Sequence, residues 1–287
     1  MAKRKIFAFT DMNWSTGHVY FGLEKALPDY EFRYIHWRGW TMDVFKANFE
    51  WADICITSLF EERLMKSYLN AEQLQKWIFM SHGKSENDHA IKYDPALCYS
   101  MASDSLAPLF PPNVTAFVTP NAVNPADFIY RPRQPKLTNI GWCGGYNPVK
   151  QIEWTRQIAK ETQLELKLAT DLPFKQMPVW YQMIDLFIIT SIPKADTETG
   201  PLPAFEAIVS GVPVIGTPVG NFRNIPGPKF STVEEAVQII ESFKANPAGL
   251  VALAKEQYDY VMKNCTYDAV KHKWIAAFDY VIHKNKI

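Results

Sequence analysis

The chain has 287 residues, of which 47% are hydrophobic, and this composition is enough to fill the core of one large domain or two modest ones. Thirty basic residues balance thirty acidic ones, so bulk charge excludes a general attraction to nucleic acid or to an anionic membrane. Four widely separated cysteines exclude a paired zinc spacing and a dense disulfide framework of the secreted type, and they favour reduced thiols.

The N-terminal half of the chain alternates apolar segments, rich in branched and aromatic residues, with segments of helical period. Such alternation predicts a parallel sheet flanked by helices. The apolar run after residues 1–5 is too short and too mixed for a signal sequence or a membrane span, so we expect a cytoplasmic protein with no integral membrane segment. The predicted strands are residues 6–10, 31–37, 54–58, 77–81, 97–100 and 115–118.

A proline-rich stretch at residues 120–135 interrupts this pattern, because proline suits neither a helix interior nor a central strand. The alternation of strands and helices then restarts, which predicts a second lobe. Its predicted strands are residues 138–141, 165–169, 186–190 and 214–216, and its predicted helices are residues 149–161 and 203–209.

Helical periodicity dominates from Thr232 to the end of the chain, where apolar residues recur at steps of three and four and form one stripe. Two placements of the last helix are open: it either caps the second lobe or crosses back to the first. The stripe consists of Tyr267, Val270, Trp274, Phe278 and Val281.

These patterns predict an α/β protein with two Rossmann-like domains, each built on a parallel sheet. The expected boundaries are residues 1–125 for the first domain, 126–265 for the second, and 266–287 for the terminal helix. Open α/β sheets bind ligands at the carboxyl ends of their strands, so we expect a ligand in the cleft between the domains.

Residues 190–217 carry the most informative pattern, which reads as strand, loop, helix, glycine turn and strand. Gly200 and Leu202 offer backbone amides just before a helix that is expected to start at Pro203. The positive end of a helix dipole and exposed amides together suit a diphosphate.

Two carboxylates accompany this helix, Glu198 on the loop and Glu206 about one turn into the helix. Carboxylates accept hydrogen bonds from sugar and ribose hydroxyls, so two spaced acceptors suit a nucleotide with a sugar at each end. Each residue also has a structural interpretation, Glu198 as a solvated loop charge and Glu206 as a complement to the helix dipole worth up to ~1 kcal/mol.

The spacing of these glutamates resembles a known motif. Glu198, seven residues, then Glu206-Ala, followed by Ser-Gly-Val-Pro-Val, resembles the EX7E motif of family-4-like retaining glycosyltransferases with the two-lobed GT-B fold. Thr119-Pro-Asn121-Ala-Val-Asn124 is similar to the "PNGVD" segment of that family, and residues 171–191 resemble its helix and strand before the glutamate loop. In the first half, residues 11–18 resemble the glycine-bearing acceptor loop, and Ser81-His82-Gly83 resembles a turn of the family.

The resemblance implies a role for each matching residue. Glu198 would contact the donor sugar, Glu206 the nucleotide ribose and Lys150 the diphosphate. His82 would contact the sugar from the opposite lobe, and Gly17 would let a phosphate approach closely. The first domain would then be the acceptor side, and the second would bind the nucleotide sugar.

The chain departs from the family at Gly145, where the family usually carries an arginine five positions before its lysine. Loss of that planar fork removes a charge-assisted contact of ~1.5 to 3 kcal/mol, so another cation must substitute or donor binding is weak. The candidate substitutes are Arg131, Arg133, Arg156, Lys175 and Lys194.

Other site candidates have structural alternatives. Lys150 is also consistent with a surface lysine in the first turn of a helix, and His82 with a core histidine bonded to a backbone carbonyl. Aromatic residues at strand ends of the first lobe either stack on an acceptor sugar or belong to the core. These aromatic candidates are Trp14, His36, Trp37 and Trp40.

The sequence therefore favours a retaining hexosyltransferase that uses a UDP- or GDP-sugar and a soluble glycan, peptide or small-molecule acceptor. We expect no metal, because no Asp-x-Asp pair follows a strand, and no cofactor apart from the nucleotide-sugar donor substrate. Alternatives are a non-catalytic sugar-nucleotide or glycan-binding subunit, and an epimerase or phosphorylase of the same fold. The donor base, hexose, acceptor and oligomeric state are not readable from the residues.

Overall fold

The computed structural model describes residues 3–13, 15–89, 93–193 and 198–284. Elements up to residue 118 are β1 Arg4–Thr10, α1 Ser15–Ala26, β2 Tyr30–His36, α2 Met42–Trp51, β3 Ile54–Ser58, α3 Glu62–Tyr68, α4 Ala71–Leu74, β4 Trp77–Ser81, α5 Lys84–His89, β5 Cys98–Met101 and β6 Thr115–Val118. Elements after residue 138 are β7 Asn139–Cys143, α6 Ile152–Glu161, β8 Glu165–Ala169, α7 Met177–Tyr181, β9 Leu186–Ile189, α8 Leu202–Val209, β10 Val214–Gly216, α9 Val233–Ala245, α10 Pro247–Asn264 and α11 Tyr267–Lys284.

The chain forms two compact units. The first contains Met1–Ala122 together with Tyr267–Ile287, and the second contains Val123–Thr266. The first unit thus ends three residues before the expected boundary at residue 125, and it includes the C-terminal segment.

The first unit is built on a six-stranded parallel sheet with the order β2-β1-β3-β4-β5-β6. Ile6 of β1 pairs with Phe32 of β2 on one side and with Ile54 of β3 on the other. Because the strand order reverses direction between β1 and β3, the loops after these two strands diverge to opposite faces and leave a crevice at their carboxyl ends. This is the first place where the fold positions a ligand.

Helix α11 covers one face of this sheet and packs against α1 and strands β3 to β6. Trp274, at the centre of its apolar stripe, is fully buried and meets Tyr20 of α1 edge to face at 6.1 Å between ring centroids. Gly22 permits the close approach of the two helices, since a Cβ atom there would lie 2.1 Å from the Tyr267 ring. The stripe therefore buries its apolar surface on the first unit.

The second unit has a four-stranded parallel sheet with the order β10-β9-β7-β8. Its strand order reverses between β7 and β9, so a second crevice lies at the carboxyl ends of these strands. Buried aliphatic side chains of the strands, such as Ile140 and Ile188, pack against α6 and α9. The predicted architecture of two parallel sheets covered by helices is confirmed.

Candidate functional site

The site in the second unit lies at the carboxyl ends of β7 and β9. The Nζ atom of Lys150 is 3.2 Å from Oε2 of Glu198, and both side chains are about a quarter exposed or less. These two residues border a small cavity of about 20 Å³ that Pro201 and Pro203, at the start of α8, also line. A cation, an anion and a helix start therefore meet at the strand-order reversal.

Lys150 reaches this place because the backbone breaks just after it. Residues Pro148–Lys150 form a 3-10 turn, capped by the Asn147 side chain, which accepts a hydrogen bond from the Val149 amide at 2.9 Å. Gln151 then adopts the left-handed region at φ 43°, and α6 begins only at Ile152. The expected helix from residue 149 is wrong in its first turn, because this left-handed residue separates Lys150 from α6.

The turn is fastened to the strand that ends beside it. The Thr190 hydroxyl donates to the Lys150 carbonyl at 2.8 Å, and the Ile192 amide donates to the Val149 carbonyl at 2.8 Å. Gly144 leaves room for the lysine, since a Cβ atom there would lie 3.0 Å from Lys150 Nζ. These contacts hold the backbone of the turn at the carboxyl edge, and the Lys150 side chain extends from there.

The turn after β10 packs against the loop that carries Glu198. Gly220 sits at φ 40°, and a Cβ atom there would come within 2.1 Å of the Thr199 carbonyl oxygen. The Asn221 amide donates to the same oxygen at 2.8 Å, while the Ser191 hydroxyl donates to Glu198 Oε2 at 3.5 Å. These contacts fix the approach of the chain to α8.

Helix α8 starts at Leu202, one residue earlier than expected, with Pro203 at its second position. Within the described part of the chain, no side chain caps this N-terminus. Gly200 and Leu202 are both buried just before the first turn. The positive end of the helix dipole therefore faces the Lys150 and Glu198 cavity without a capping carboxylate.

Glu206 occupies a different environment from Glu198. It is nine-tenths buried, and its Oε2 accepts a hydrogen bond from the Tyr181 hydroxyl at 2.8 Å. Burial raises the pKa of Glu206 to about 7, although the bond from Tyr181 opposes the rise. Burial also raises the pKa of the neighbouring Cys143 thiol to about 12. Glu206 therefore holds its proton to a higher pH than an exposed carboxylate does.

Gly145 is exposed, and a Cβ atom there would meet no other group within 4 Å. The site lacks the arginine that the resemblance leads one to expect at this position. Of the proposed substitutes, Arg133 pairs with Asp185 at 3.2 Å at the opposite, amino end of β9. Arg156 pairs with its exposed helix neighbour Glu153. Arg133 therefore lies away from the carboxyl edge and does not substitute for the missing arginine there.

The remaining substitutes make no described contact with the site. Arg131 and Lys175 are exposed, and Lys194 lies outside the described residues. Sequence reasoning missed Arg223, which is bonded to the turn next to the glutamate loop. Its Nε donates at 3.0 Å to the carbonyl of Gly220, the glycine that packs against Thr199. No carboxylate of the described chain pairs with Arg223. No sequence signal marks it, because only the packing of the Gly220 turn brings it to this edge.

In the first unit, His82 follows β4 at the carboxyl edge of the sheet. Its backbone amide donates to Glu86 Oε2 at 2.8 Å. Burial lowers the pKa of the His82 imidazole to about 4, so the ring is neutral at physiological pH. Burial raises the pKa of Glu86 to about 8, against the opposing bonds from His82 and from the Ser58 side chain.

Gly17 lies in the first turn of α1 and not in a loop. A Cβ atom there would lie 2.7 Å from the Asp11 carbonyl oxygen, so the glycine permits the helix to pack against the preceding loop. Trp40 packs on the core rings of Phe9 and Phe45 at 5.6 and 5.4 Å. Trp40 thus follows the structural alternative, and Trp14 lies outside the described residues.

Trp37 has a different position, because it lines a cavity of about 430 Å³ at the carboxyl ends of β1 and β3. The Trp37 indole donates to Asp11 Oδ2 at 2.7 Å. His36, the preceding residue, accepts a hydrogen bond from the Met12 amide at its Nδ1 at 3.2 Å. Both residues of the predicted aromatic group therefore contact the loop after β1.

Two further findings concern the described residues only. They contain no group of three or more His, Cys, Asp or Glu side chains placed to hold a metal ion. None of their helices combines the length and the apolarity that a bilayer crossing requires.

Comparison with families and curated proteins gives no match, whereas comparison with solved structures gives many. Sucrose-phosphate synthase from Thermosynechococcus elongatus superposes with a TM-score of 0.72 at 12% identity, over 98% of this chain and 100% of that chain. Anabaena HepE, solved with UDP and glucose, gives 0.71 at 10% identity over 96% and 100%. The catalytic domain of starch synthase IV from Arabidopsis thaliana, bound to ADP and acarbose, gives 0.67 at 12% identity over 99% and 100%. The chain therefore has the two-domain GT-B fold that these glycosyltransferases share.

Proposed function

We propose that this protein transfers a sugar from a nucleoside-diphosphate sugar to an acceptor hydroxyl. One observation carries the proposal: the Lys150 ammonium and the Glu198 carboxylate lie 3.2 Å apart beside the uncapped start of α8. An ammonium group and a helix N-terminus both attract a diphosphate, and a carboxylate suits the hydroxyls of the attached sugar. The fold shared with glycosyltransferases supports this assignment but does not by itself assign an activity.

The donor that we propose is a UDP- or GDP-hexose. Its diphosphate would replace Glu198 as the partner of Lys150, and this exchange would free Glu198 to accept hydrogen bonds from the hexose. Glu206, whose pKa is raised by burial, would in its ionised form accept a hydrogen bond from a ribose hydroxyl. The cost of breaking the Lys150–Glu198 pair is modest, because both groups retain partial solvent contact.

We propose that transfer retains the anomeric configuration. The bond between the anomeric carbon and the diphosphate oxygen breaks, while Lys150 and the α8 amides stabilise the growing negative charge. The acceptor oxygen attacks from the face that the diphosphate leaves and forms the new glycosidic bond. Its proton passes to the departing phosphate oxygen, which gains negative charge as the bond to the anomeric carbon breaks.

Metal independence is part of the same proposal, because the sequence has no Asp-x-Asp pair after a strand to bridge a divalent ion to the diphosphate. Transfer measured with and without a chelator tests this directly. We expect equal rates, and abolition of transfer by the chelator would contradict the proposal.

Calorimetric titration with a panel of UDP-, GDP- and ADP-sugars tests the assignment and selects the base. We expect one nucleotide to bind, Lys150→Ala to weaken its binding at least about tenfold, and the binding of the matching nucleoside to stay unchanged. Arg156→Ala is the matched control, since it also removes a cation of the second unit, but one that pairs with Glu153 on the surface of α6. Equal affinity in the wild type and the Lys150 variant would contradict the proposal.

A second candidate is a donor-binding subunit without turnover, which the bare Gly145 favours because a phosphate-binding cation is missing there. It predicts that a nucleotide sugar binds but that no acceptor yields nucleoside diphosphate. Release of nucleoside diphosphate in proportion to the glycosylated product excludes it.

A further inference from the structure

The cavity of the first unit lies at the point where its sheet reverses strand order. Thr10 and Asp11 come from the end of β1 and Ser58 from the end of β3, the two strands that flank the reversal. A volume of about 430 Å³ is within the range of ligand sites, ~300 to 1,000 Å³, and suits a single sugar ring or a small disaccharide. The lining consists of Phe9, Thr10, Asp11, Thr16, Trp37, Ser58, Phe60, Glu61 and Glu86.

Aromatic rings form one part of the wall. Trp37 is held in place by its bond to Asp11 Oδ2, and the other oxygen of Asp11 accepts from the Asn13 amide at 3.0 Å. Phe60 is nearly half exposed at the rim. Ring faces of this kind stack on sugars and attract cations. Asp11 thus has two protein donors and serves to orient Trp37.

The carboxyl groups of the cavity all belong to acidic side chains. Three of its nine lining residues are carboxylic acids, and no lysine, arginine or histidine belongs to this described lining. Arg38, whose guanidinium lies 4.4 Å from the Trp37 ring centroid, is exposed and is not part of the lining. An anionic ligand would therefore meet like charge without a compensating cation.

Glu61 differs from the other two carboxylic acids. Glu86 accepts hydrogen bonds from the His82 amide and the Ser58 side chain, whereas no described residue pairs with the half-buried Glu61 carboxylate. Burial raises the pKa of Glu61, because the charged form loses hydration without gaining a partner. A cationic ligand would supply that partner.

We propose that this cavity binds a sugar or cyclitol that carries a protonated amine, with Glu61 as the anion that receives the ammonium group. Its hydroxyls would face Thr10, Thr16 and Glu86, and one face of its ring would lie on Trp37. This ligand would be the acceptor of the transferred sugar, and that identification rests on the proposed function. The binding site itself does not depend on it.

D-Glucosamine and D-glucose are matched probes, since they differ by an amine in place of one hydroxyl. The indole N–H signal of Trp37 in a ¹⁵N-labelled full-length protein reports binding from inside the cavity. In a buffer acidic enough to keep the amine protonated, we expect glucosamine to shift this signal at concentrations at least about tenfold lower than glucose. Equal affinities, or tighter binding of glucose 6-phosphate, would overturn the proposal.

Glu61→Gln is the matched variant, because the amide keeps the shape of the side chain and removes its charge. We expect this variant to bind both sugars equally, while Glu72→Gln on the exposed surface of α4 keeps the preference for glucosamine. A preference that survives Glu61→Gln would overturn the assigned role of Glu61. The comparison of the two sugars on the wild-type protein stands even without a folded variant.

Failure of this inference can be told apart from failure of the proposed function. If UDP- or GDP-sugars bind and transfer occurs but glucosamine shifts the Trp37 signal no more readily than glucose, the amine site is refuted while the proposed function stands. If glucosamine binds selectively but no nucleotide binds the second unit, the amine site stands and the proposed function is refuted.

Discussion

Replacement of Glu206 by glutamine should change how the stability of the second unit depends on pH. The amide keeps an oxygen that accepts from the Tyr181 hydroxyl, which lies 2.8 Å from Oε2, but it does not titrate. In the folded protein the pKa of Glu206 rises from 4.5 to about 7 by burial. The folded state therefore holds a proton that the unfolded state has already released between these two pH values.

Stability accordingly falls as pH rises through this window, because the unfolded state binds fewer protons than the native state. The loss begins near pH 4.5 and is complete just above pH 7, and a rise from 4.5 to about 7 corresponds to about 3 kcal/mol. Glu86, whose pKa rises to about 8 for the same reason, titrates in both proteins and cancels from the difference between them. The free energy of unfolding of the variant should thus rise by about 3 kcal/mol relative to that of the wild type as the pH increases from the lower to the upper limit of this window.

Urea unfolding followed by tryptophan fluorescence at a series of pH values measures this difference, with two transitions fitted if the units unfold separately. Tyr181→Phe provides a matched second variant, because loss of the hydroxyl bond that lowers the pKa of Glu206 should move the window to higher pH. A difference between wild type and Glu206→Gln that does not change with pH would refute the reasoning.

Three further predictions concern the second unit. Arg223→Ala should weaken UDP binding several-fold and leave uridine binding unchanged in calorimetry, because Gly220 holds the guanidinium beside the loop of Glu198. An equal loss for both ligands would contradict a phosphate contact. Gly145→Arg should tighten UDP binding and restore it in the Arg223 variant, since a Cβ atom at this exposed position meets nothing within 4 Å. Unchanged affinity would count against the site. Gln257→Leu should lower the free energy of unfolding in urea by about 2 to 4 kcal/mol, because the buried Gln257 amide forms hydrogen bonds with the Val214 amide and carbonyl and with the Pro226 carbonyl. A loss below about 1 kcal/mol would show that these groups find other partners.

The strands and the two parallel sheets could be predicted from the local pattern of apolar and polar residues in the sequence. The predicted strands at residues 165–169 and 214–216 match β8 and β10 in both bounds, because glycine, proline or polar residues mark their ends. The apolar stripe of the last helix was also visible, but not its partner. Its position on the first unit depends on the fit of Trp274 to Tyr20 and of Tyr267 to Gly22, contacts between residues far apart in sequence.

The candidate site was only partly predictable. The glutamate spacing singled out Glu198 and Glu206, yet nothing in the spacing separates a partly exposed Glu198 paired with Lys150 from a buried Glu206 bonded to Tyr181. The start of α6 could not be predicted, because Gln151 just before it is left-handed and glutamine carries no local signal for that conformation.

Charges whose position depends on packing were missed for the same reason. Arg223 comes near the glutamate loop only through the Gly220 turn, and Glu61 and Glu86 reach one cavity only because β3 and β4 lie side by side. The assigned roles of Glu198, Glu206, Lys150, His82, Gly200, Leu202, Gly17 and Gly145 stay predictions.

The most direct test locates the nucleotide on the second unit by nuclear magnetic resonance, with UDP and GDP titrated into the ¹⁵N-labelled full-length protein. The account predicts that the largest amide shifts fall on residues 198–204 and on Val149 and Lys150, at the carboxyl ends of β7 and β9. Largest shifts at the opposite edge, around Arg133 and Asp185, or no shift with either nucleotide, would contradict a diphosphate site beside Lys150.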